Sequence, residues 1–333
     1  FLDQEGVDPE ILNLTREYRK VHPMASPERV PVPRYAYYGV QVWEQVLTAV
    51  LAGKNLLLAG GKATGKNVLA QNLAALFQRP MWNISLHVNT DAGSLVGTDT
   101  FRNGQVEFRP GPVYACAQAG GFGVLDEINM AKNEALAVLH QVLDFRRAID
   151  IPGYGSLELK PETRFIGTMN YGYAGTREIN EALASRFAIL SMPTITQENL
   201  ERLLGTEYPE LSRKYRGLFA QLFFDLNKKC AASEISTRAL DLRGLLDAID
   251  LMKLGLAPLA ALDMGITNKS FDGYEQQLIR DVIAFVPFTV LLPLRLGLDG
   301  ILWAAPAADL VGLLFSILFI RQELSSMKQQ RCG

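Results

Sequence analysis

The fold of this chain is decided by residues 55–67, which read Asn55-Leu56-Leu57-Leu58-Ala59-Gly60-Gly61-Lys62-Ala63-Thr64-Gly65-Lys66-Asn67. The first five are a short apolar run typical of a buried parallel strand, and the rest follow the pattern G-x-x-x-x-G-K before a predicted helix over Val68–Phe77. Glycines let backbone N–H groups face a phosphate, while the helix N-terminus and Lys66 add positive charge. The alternative, a Gly-rich turn with a surface lysine, is disfavoured by the strand–loop–helix context. The predicted phosphate-binding residues are Gly60, Gly61, Lys62, Ala63, Thr64, Gly65, Lys66, Asn67 and Val68.

The residue after Lys66 departs from the usual form of this loop. That position is normally Ser or Thr, whose hydroxyl ligates Mg²⁺, and here it is Asn67. An amide oxygen is also a hard neutral ligand, so Asn67 is a candidate metal ligand. Asn is larger than Ser, so the usual geometry of the metal ligand does not carry over to Asn67. The sequence therefore supports nucleotide binding more strongly than it supports fast hydrolysis.

A second apolar run, Gly123-Val124-Leu125, ends in the carboxylates Asp126 and Glu127. At the carboxyl end of a parallel strand these side chains would point into the crevice where open α/β sheets bind ligands. We predict that Asp126 binds Mg²⁺ and that Glu127 is the general base for an attacking water. The alternative is a strand that leads into a solvated turn.

Further strand-like runs alternate with helical patterns along the first two hundred residues. They lie at 165–169 and 188–192, and two inserts at 97–108 and 148–159 carry β-hairpin signals. This alternation predicts the α/β class, with a parallel sheet and helices on both of its faces. The predicted domains are an extended N-terminal arm at 1–34, an α/β nucleotide-binding domain at 35–193, an all-helical domain at 194–281 and an apolar tail at 282–333.

Composition excludes several classes of protein. The 333 residues carry 33 Lys and Arg against 35 Asp and Glu, a net charge of −2, so a protein that coats nucleic acid is disfavoured. The three cysteines and three histidines are scattered, which fits neither a disulfide framework nor a zinc site. We therefore expect a cytoplasmic globular protein without a nucleic-acid partner.

These motifs together resemble an AAA+ ATPase of the MoxR-like branch, close to the CbbQ/NorQ group and the dynein-related AAA domain. The resemblance covers roughly residues 35–270 and implies ATP and Mg²⁺ as ligands. The strand Phe165-Ile166-Gly167-Thr168-Met169-Asn170 would end in the family's sensor 1 amide, Asn170, which helps to place the attacking water.

The same resemblance assigns three arginines. Arg186, in Ser185-Arg186-Phe187, would be the finger that reaches a neighbouring subunit's ATP, and Arg177 is a second candidate for that contact. Arg238, in a predicted helix start at 236–240, would be sensor 2 and touch the γ-phosphate in its own subunit. For each arginine the plain alternative is a surface pair or a side chain lying along an apolar helix.

The family also implies partners. Its members form oligomeric rings, expected here as hexamers, in which two hairpin inserts face the pore or the partner. They use ATP hydrolysis to remodel protein targets in a chaperone-like way, often beside a partner with a von Willebrand A domain. The competing hypothesis from the residues is a nucleotide-binding switch or scaffold with slow turnover, since Asn67 replaces the usual hydroxyl.

The C-terminal tail does not match this family. Residues 282–294 carry no charge, and Ile301–Ile320 is a twenty-residue apolar run with one charge, long enough to cross a bilayer. Part of the tail resembles the last spans of MATE-type exporters. Three interpretations of the tail stay open: membrane contact through 282–320, a buried helical hairpin, and an unrelated sequence joined to the chain by a gene-model or assembly error. The corresponding alternative function is a membrane-anchored regulatory ATPase of an export system.

Overall fold

The computed structural model describes residues 1–24, 26–102, 104–171 and 178–296, and beyond residue 285 it describes the backbone only. The chain divides into two compact units, the first spanning Phe1–Ile195 and the second beginning at Thr196.

The first unit is an α/β unit and the second is helical. The strands are β1 (Asn55–Ala59), β2 (Met81–Ser85), β3 (Gly97–Arg102), β4 (Gln105–Pro110), β5 (Phe122–Asp126), β6 (Ala148–Ile151), β7 (Gly155–Glu158), β8 (Arg164–Met169) and β9 (Phe187–Ser191). The helices of the first unit are α1 (Leu2–Glu5), α2 (Pro9–Val21), α3 (Val40–Leu51), α4 (Lys66–Leu76), α5 (Ala92–Val96), α6 (Pro112–Ala119), α7 (Asn133–Leu136), α8 (Leu139–Leu143) and α9 (Glu181–Ala184). Those of the second unit are α10 (Gln197–Glu207), α11 (Arg213–Ala231), α12 (Leu242–Lys253), α13 (Pro258–Gly265) and α14 (Gly273–Leu296).

Five strands form a parallel sheet in the order β2-β5-β8-β1-β9, which confirms the predicted α/β class. Four of the five were predicted from their apolar runs. The strand β2 was missed because polar residues, Asn83 and Ser85, interrupt its apolar pattern. An edge strand needs no continuous apolar run, since only one of its sides is paired within the sheet.

The sheet is covered on both faces by helices. All five residues of β1 are buried, and its leucines alternate between two cores. Leu56 and Leu58 pack into a core with α2, α3 and α4, whereas Leu57 packs into the core on the other face, with α5, α6 and α8. This double burial explains why the strand reads as a continuous apolar run.

Both predicted hairpins are present, as β3–β4 and β6–β7. They contact each other through Tyr154, whose ring centroid lies 5.2 Å from that of Phe108, while Phe108 also packs edge-on against Tyr114 at 5.3 Å. A hydrogen bond with Asp99 on β3 raises the pKa of Tyr154. The two inserts are therefore connected directly to one another.

The predicted extended arm at 1–34 is wrong over its first part, which forms α1 and α2. Leu2, Val7 and Leu12 are buried in the core that contains α3 and α4. The prolines that suggested an extended arm begin at Pro23, beyond the end of α2, so they do not interrupt the helix.

A buried guanidinium fastens this N-terminal segment to the unit. Arg79 is fully buried, and its Nη2 donates to the carbonyl oxygens of His22 at 2.8 Å and Pro23 at 2.5 Å. Its Nη1 lies 3.6 Å from a carboxylate oxygen of Glu162. A buried charge needs such partners, so the segment after α2 completes the environment of Arg79.

The run at 282–294 lies within α14 of the helical unit. Within residues 1–24, 26–102, 104–171 and 178–296, no helix is both long and apolar enough to cross a membrane. The second predicted span, Ile301–Ile320, lies outside the described residues, as does the sequence that resembles an exporter from residue 297 onward.

Replacing Arg79 by Lys keeps the charge but removes the fork of N–H donors. We expect Arg79→Lys to lower the free energy of unfolding by about 1–3 kcal/mol, because buried carbonyl groups lose their donors. Denaturant titration measures this change. The matched control is Arg16→Lys, at an exposed arginine on α2, which should change stability by less than about 0.5 kcal/mol. Equal stability of the two variants would contradict the anchoring role.

Candidate nucleotide-binding site

Three neighbouring strands of the sheet end at the same edge and bring the predicted site together. The register pairs Ala59 at the end of β1 with Met169 at the end of β8, and Leu125 near the end of β5 with Gly167. The loop after β1, the carboxylates after β5 and Asn170 after β8 therefore follow adjacent strand ends, as expected for the crevice of an open α/β sheet.

The loop over residues 60–65 is tightly curled and anchored to its surroundings. Gly65 has a φ of 78°, in the left-handed region that favours glycine, and a Cβ there would lie 3.1 Å from the ring of Tyr37. Burial raises the pKa of Tyr37 to about 12. At the other end of the loop, the N–H of Gly60 donates to the carbonyl of Met169 at 3.1 Å. The helix α4 begins at Lys66, two residues before the predicted start at Val68.

Lys66 is buried at the head of α4 and points back over the loop. Its Nζ donates to the carbonyl oxygens of Gly60 at 2.9 Å and Gly61 at 2.7 Å, and lies 3.3 Å from Thr64 Oγ1. Burial lowers the pKa of Lys66 to about 8, although the nearby carboxylates of Asp126 and Glu127 act in the opposite direction. The amine therefore lies over the loop that the sequence predicts to bind phosphate.

Asp126 accepts one hydrogen bond on each carboxylate oxygen. Thr168 Oγ1 donates to Oδ1 at 2.5 Å, and the Asn67 amide nitrogen donates to Oδ2 at 3.1 Å. The structure therefore brings together the two residues that the sequence predicts as Mg²⁺ ligands. Carboxylate and amide oxygens are the ligand type that Mg²⁺ prefers, so both residue types fit this role. In the observed conformation the amide nitrogen of Asn67, and not its oxygen, faces Asp126.

Glu127 adopts an unusual backbone conformation. Its φ of 55° and ψ of 47° are left-handed, which costs a non-glycine residue on the order of 1–3 kcal/mol. The Glu127 N–H donates to Thr168 Oγ1 at 3.1 Å, and its carbonyl accepts from Met130 N at 2.8 Å. Such strain is typical of functional sites, where the surrounding contacts maintain it.

Asn170 follows β8 as predicted, and a buried residue fixes its backbone. The amide nitrogen of Asn129, which is 4% exposed, donates to the carbonyl oxygen of Asn170 at 2.8 Å. Sequence reasoning missed both Asn129 and Thr168. Each is a polar residue close to a predicted motif: Asn129 comes two positions after Glu127, and Thr168 comes two positions before Asn170. This closeness is the signal by which the sequence could have indicated them.

Of the three predicted arginines, Arg186 and Arg238 lie within the described residues. Arg186 follows α9, where its Nη1 donates to the carbonyl of Ala182 and its buried Nε has no partner among the described residues. Burial lowers the pKa of His140 on α8, and the charge of Arg186 acts in the same direction. Arg177 lies outside the described residues.

Arg238 lies in the helical unit, but the predicted helix start at 236–240 is wrong. Arg238 is in an exposed turn, and α12 begins at Leu242, where the Asp241 carboxylate caps the helix by accepting from Arg243 N at 3.1 Å. The guanidinium of Arg238 lies 6.0 Å from the ring centroid of Phe271.

Comparisons with known proteins show what this chain is similar to. The sequence model of one protein family, the AAA domain (dynein-related subfamily), matches residues 55–187. The chain is 36% identical to the uncharacterized protein YojN of Bacillus subtilis, over 71% of this chain and 79% of that protein. It is 34% identical to an uncharacterized protein of Staphylococcus haemolyticus, SH1500, over 69% of this chain and 89% of the relative. A crystal structure of an ATPase candidate from Cytophaga hutchinsonii aligns with a TM-score of 0.43 and 15% identity, covering 82% of this chain and 86% of the other.

The lowered pKa of Lys66 predicts a pH-dependent affinity for nucleotide. Below about pH 8 the amine is protonated and can pair with phosphate, and above that pH the free protein loses this charge. We expect the dissociation constant of a fluorescent ATP analogue to rise up to about tenfold per pH unit between roughly pH 8 and pH 9.5. Fluorescence titration across this range measures the effect.

Lys66→Ala is the control, because it should bind weakly and show no such pH dependence. An affinity in the unaltered protein that stays constant up to about pH 9.5 would contradict the assignment of Lys66 to the phosphates.

Proposed function

Since this chain belongs to the dynein-related subfamily of AAA domains, we propose that it binds ATP with Mg²⁺ and hydrolyses it to remodel a partner protein. The observation that carries the proposal is the meeting of Lys66, Asp126 and Glu127 at one edge of the sheet. A buried ammonium at a helix N-terminus and two carboxylates at the end of β5 are the groups that phosphoryl transfer requires.

ATP binding rests on the loop after β1. Lys66 already donates to the carbonyl oxygens of Gly60 and Gly61, so phosphate oxygens would take over these protons as acceptors. Backbone N–H groups at the start of α4 add an anion-binding helix terminus. Mg²⁺ would be held by Asp126 and Asn67 and would offset negative charge on the phosphates.

Hydrolysis rests on the end of β5 and its neighbour β8. Glu127 would accept a proton from the attacking water, and Asn170, two residues beyond Thr168, would orient that water. Arg186, and Arg177 outside the described residues, would act on ATP bound by an adjacent subunit, while Arg238 would respond to ATP within its own chain. A hexameric ring supplies such neighbours, and a partner with a von Willebrand A domain fits the same proposal.

The second candidate is a nucleotide-dependent switch with slow turnover. The hydrogen bond from Asn67 to Asp126 favours it, because it turns the amide nitrogen of Asn67, and not its oxygen, toward the carboxylate. Mg²⁺ can use the Asn67 oxygen only after this amide has turned over. The two candidates agree on nucleotide binding and differ in the rate of hydrolysis.

Replacing Glu127 by Gln separates binding from hydrolysis. We expect Glu127→Gln to bind the fluorescent ATP analogue within about threefold of the unaltered protein and to lower kcat about 100-fold or more, because the general base is lost. Phosphate release and fluorescence titration measure the two quantities. Glu134→Gln, at an exposed residue of α7, is the matched control and should hydrolyse ATP normally. Unaltered protein that binds ATP without hydrolysing it would favour the switch.

The proposed contact of Arg186 with a neighbouring subunit predicts recovery of activity on mixing. Arg186→Ala and Glu127→Gln should each be inactive alone, since every interface lacks one group. Mixed oligomers contain interfaces that pair an intact Glu127 with an intact Arg186, so hydrolysis should reappear. The phosphate-release rate at varying mixing ratios measures this recovery, and a mixture as inactive as its components would argue against the shared site.

A further inference from the structure

We propose that Thr168 is a positioning residue that sets the orientation of both Asp126 and Glu127 for hydrolysis. The inference rests on the proposed function and extends it to a residue on another strand. Thr168 touches neither nucleotide nor water in this proposal, and it acts only through the two acidic residues.

One hydroxyl group serves both acidic residues. Thr168 Oγ1 donates its proton to Asp126 Oδ1 at 2.5 Å and accepts the N–H of Glu127 at 3.1 Å. Because a hydroxyl has a single proton, donation to Asp126 leaves its lone pairs for the Glu127 N–H. The two contacts are therefore compatible, and together they fix the rotation of the hydroxyl.

The position of Thr168 gives these contacts a rigid base. The side chain is 1% exposed, and its strand β8 lies between β5 and β1 in the sheet. Its Cα is in register with that of Leu58 on β1. A β-branched residue in a central strand has restricted χ1 freedom, so the hydroxyl is held in place by the strand itself.

The contact with Glu127 bears on its strained backbone. The backbone of Glu127 is in the left-handed region although the residue is not glycine. Its N–H donates to Thr168 Oγ1, so this hydrogen bond holds the backbone at the start of the turn. If the hydroxyl is removed, this N–H loses its acceptor and the turn can relax. The carboxylate of Glu127 would then leave the position from which it reaches the water. A shift of about 1 Å in a reacting group is enough to lower a rate 100-fold.

The contact with Asp126 bears on the metal. Thr168 holds Oδ1 and Asn67 holds Oδ2, so the plane of the carboxylate is defined from both sides. Without Thr168, the Asn67 contact is the one hydrogen bond that remains on this carboxylate among the described residues, and the carboxylate can rotate. We therefore expect a higher Mg²⁺ concentration to be needed for half-maximal hydrolysis.

The test compares Thr168→Val, which keeps the shape and removes the hydroxyl, with Thr168→Ser, which keeps the hydroxyl. In the full chain, Thr168→Val should lower kcat about 10- to 100-fold and raise the Mg²⁺ concentration for half-maximal rate, with ATP KM changed by less than about threefold. Thr168→Ser should restore kcat to within about threefold of the unaltered protein. These rates come from phosphate-release assays at varied ATP and Mg²⁺.

Thr163→Val is the matched control. Thr163 is fully buried one residue before β8 and donates to the carbonyl of Ala117 at 3.2 Å, outside the site. Thr163→Val loses one buried hydrogen bond, to a neutral carbonyl, so a merely structural effect would appear in both valine variants as a lower unfolding temperature without a change in Mg²⁺ dependence.

The outcomes separate the two levels of the proposal. Normal kcat and Mg²⁺ dependence in Thr168→Val would overturn the positioning role while leaving the proposed ATPase intact. Equal loss in Thr168→Ser and Thr168→Val would also overturn it, since packing and not the hydroxyl would then matter. Unaltered protein without any Mg²⁺-dependent hydrolysis would overturn both the proposed function and this inference.

Discussion

The parallel register of β5, β8 and β1 is the constraint on which the rest of the first unit depends. Gly167 of β8 is in register with Leu57 on one side and with Leu125 on the other, and a Cβ at Gly167 would lie 2.9 Å from Leu57 Cδ1. This close approach aligns three strand ends at one edge. A slip of one residue would turn each side chain of the moved strand to the opposite face and separate the polar groups of the site.

The polar groups at this edge are already engaged with one another in the chain alone. Lys66 bonds to carbonyl groups of its own loop, and Asp126 is bonded by Thr168 and Asn67. The arrangement limits the cost of burying charge before nucleotide arrives. It also means that a phosphate gains affinity only to the extent that its contacts with Lys66 exceed the two carbonyl contacts that they replace.

Features carried by local chemistry could be predicted from the sequence, and features that depend on distant pairing could not. The positions of the loop at 60–67 and of the carboxylates Asp126 and Glu127 could be predicted, because each follows a short apolar strand. The role of Thr168 depends on β8 lying between β5 and β1, an order that no short motif encodes. The start of α12 was misplaced because the capping residue is Asp241, not Ser236.

The contact of Tyr154 with Phe108 joins two hairpins that are far apart in the sequence. One hairpin follows α5 and the other leads through residues 159–163 into β8, so the contact links segments that connect to different parts of the first unit. The same contact restricts divergence between related chains. A change of ring size at position 108 would leave a gap or a clash at position 154, so these two positions are expected to vary together during evolution.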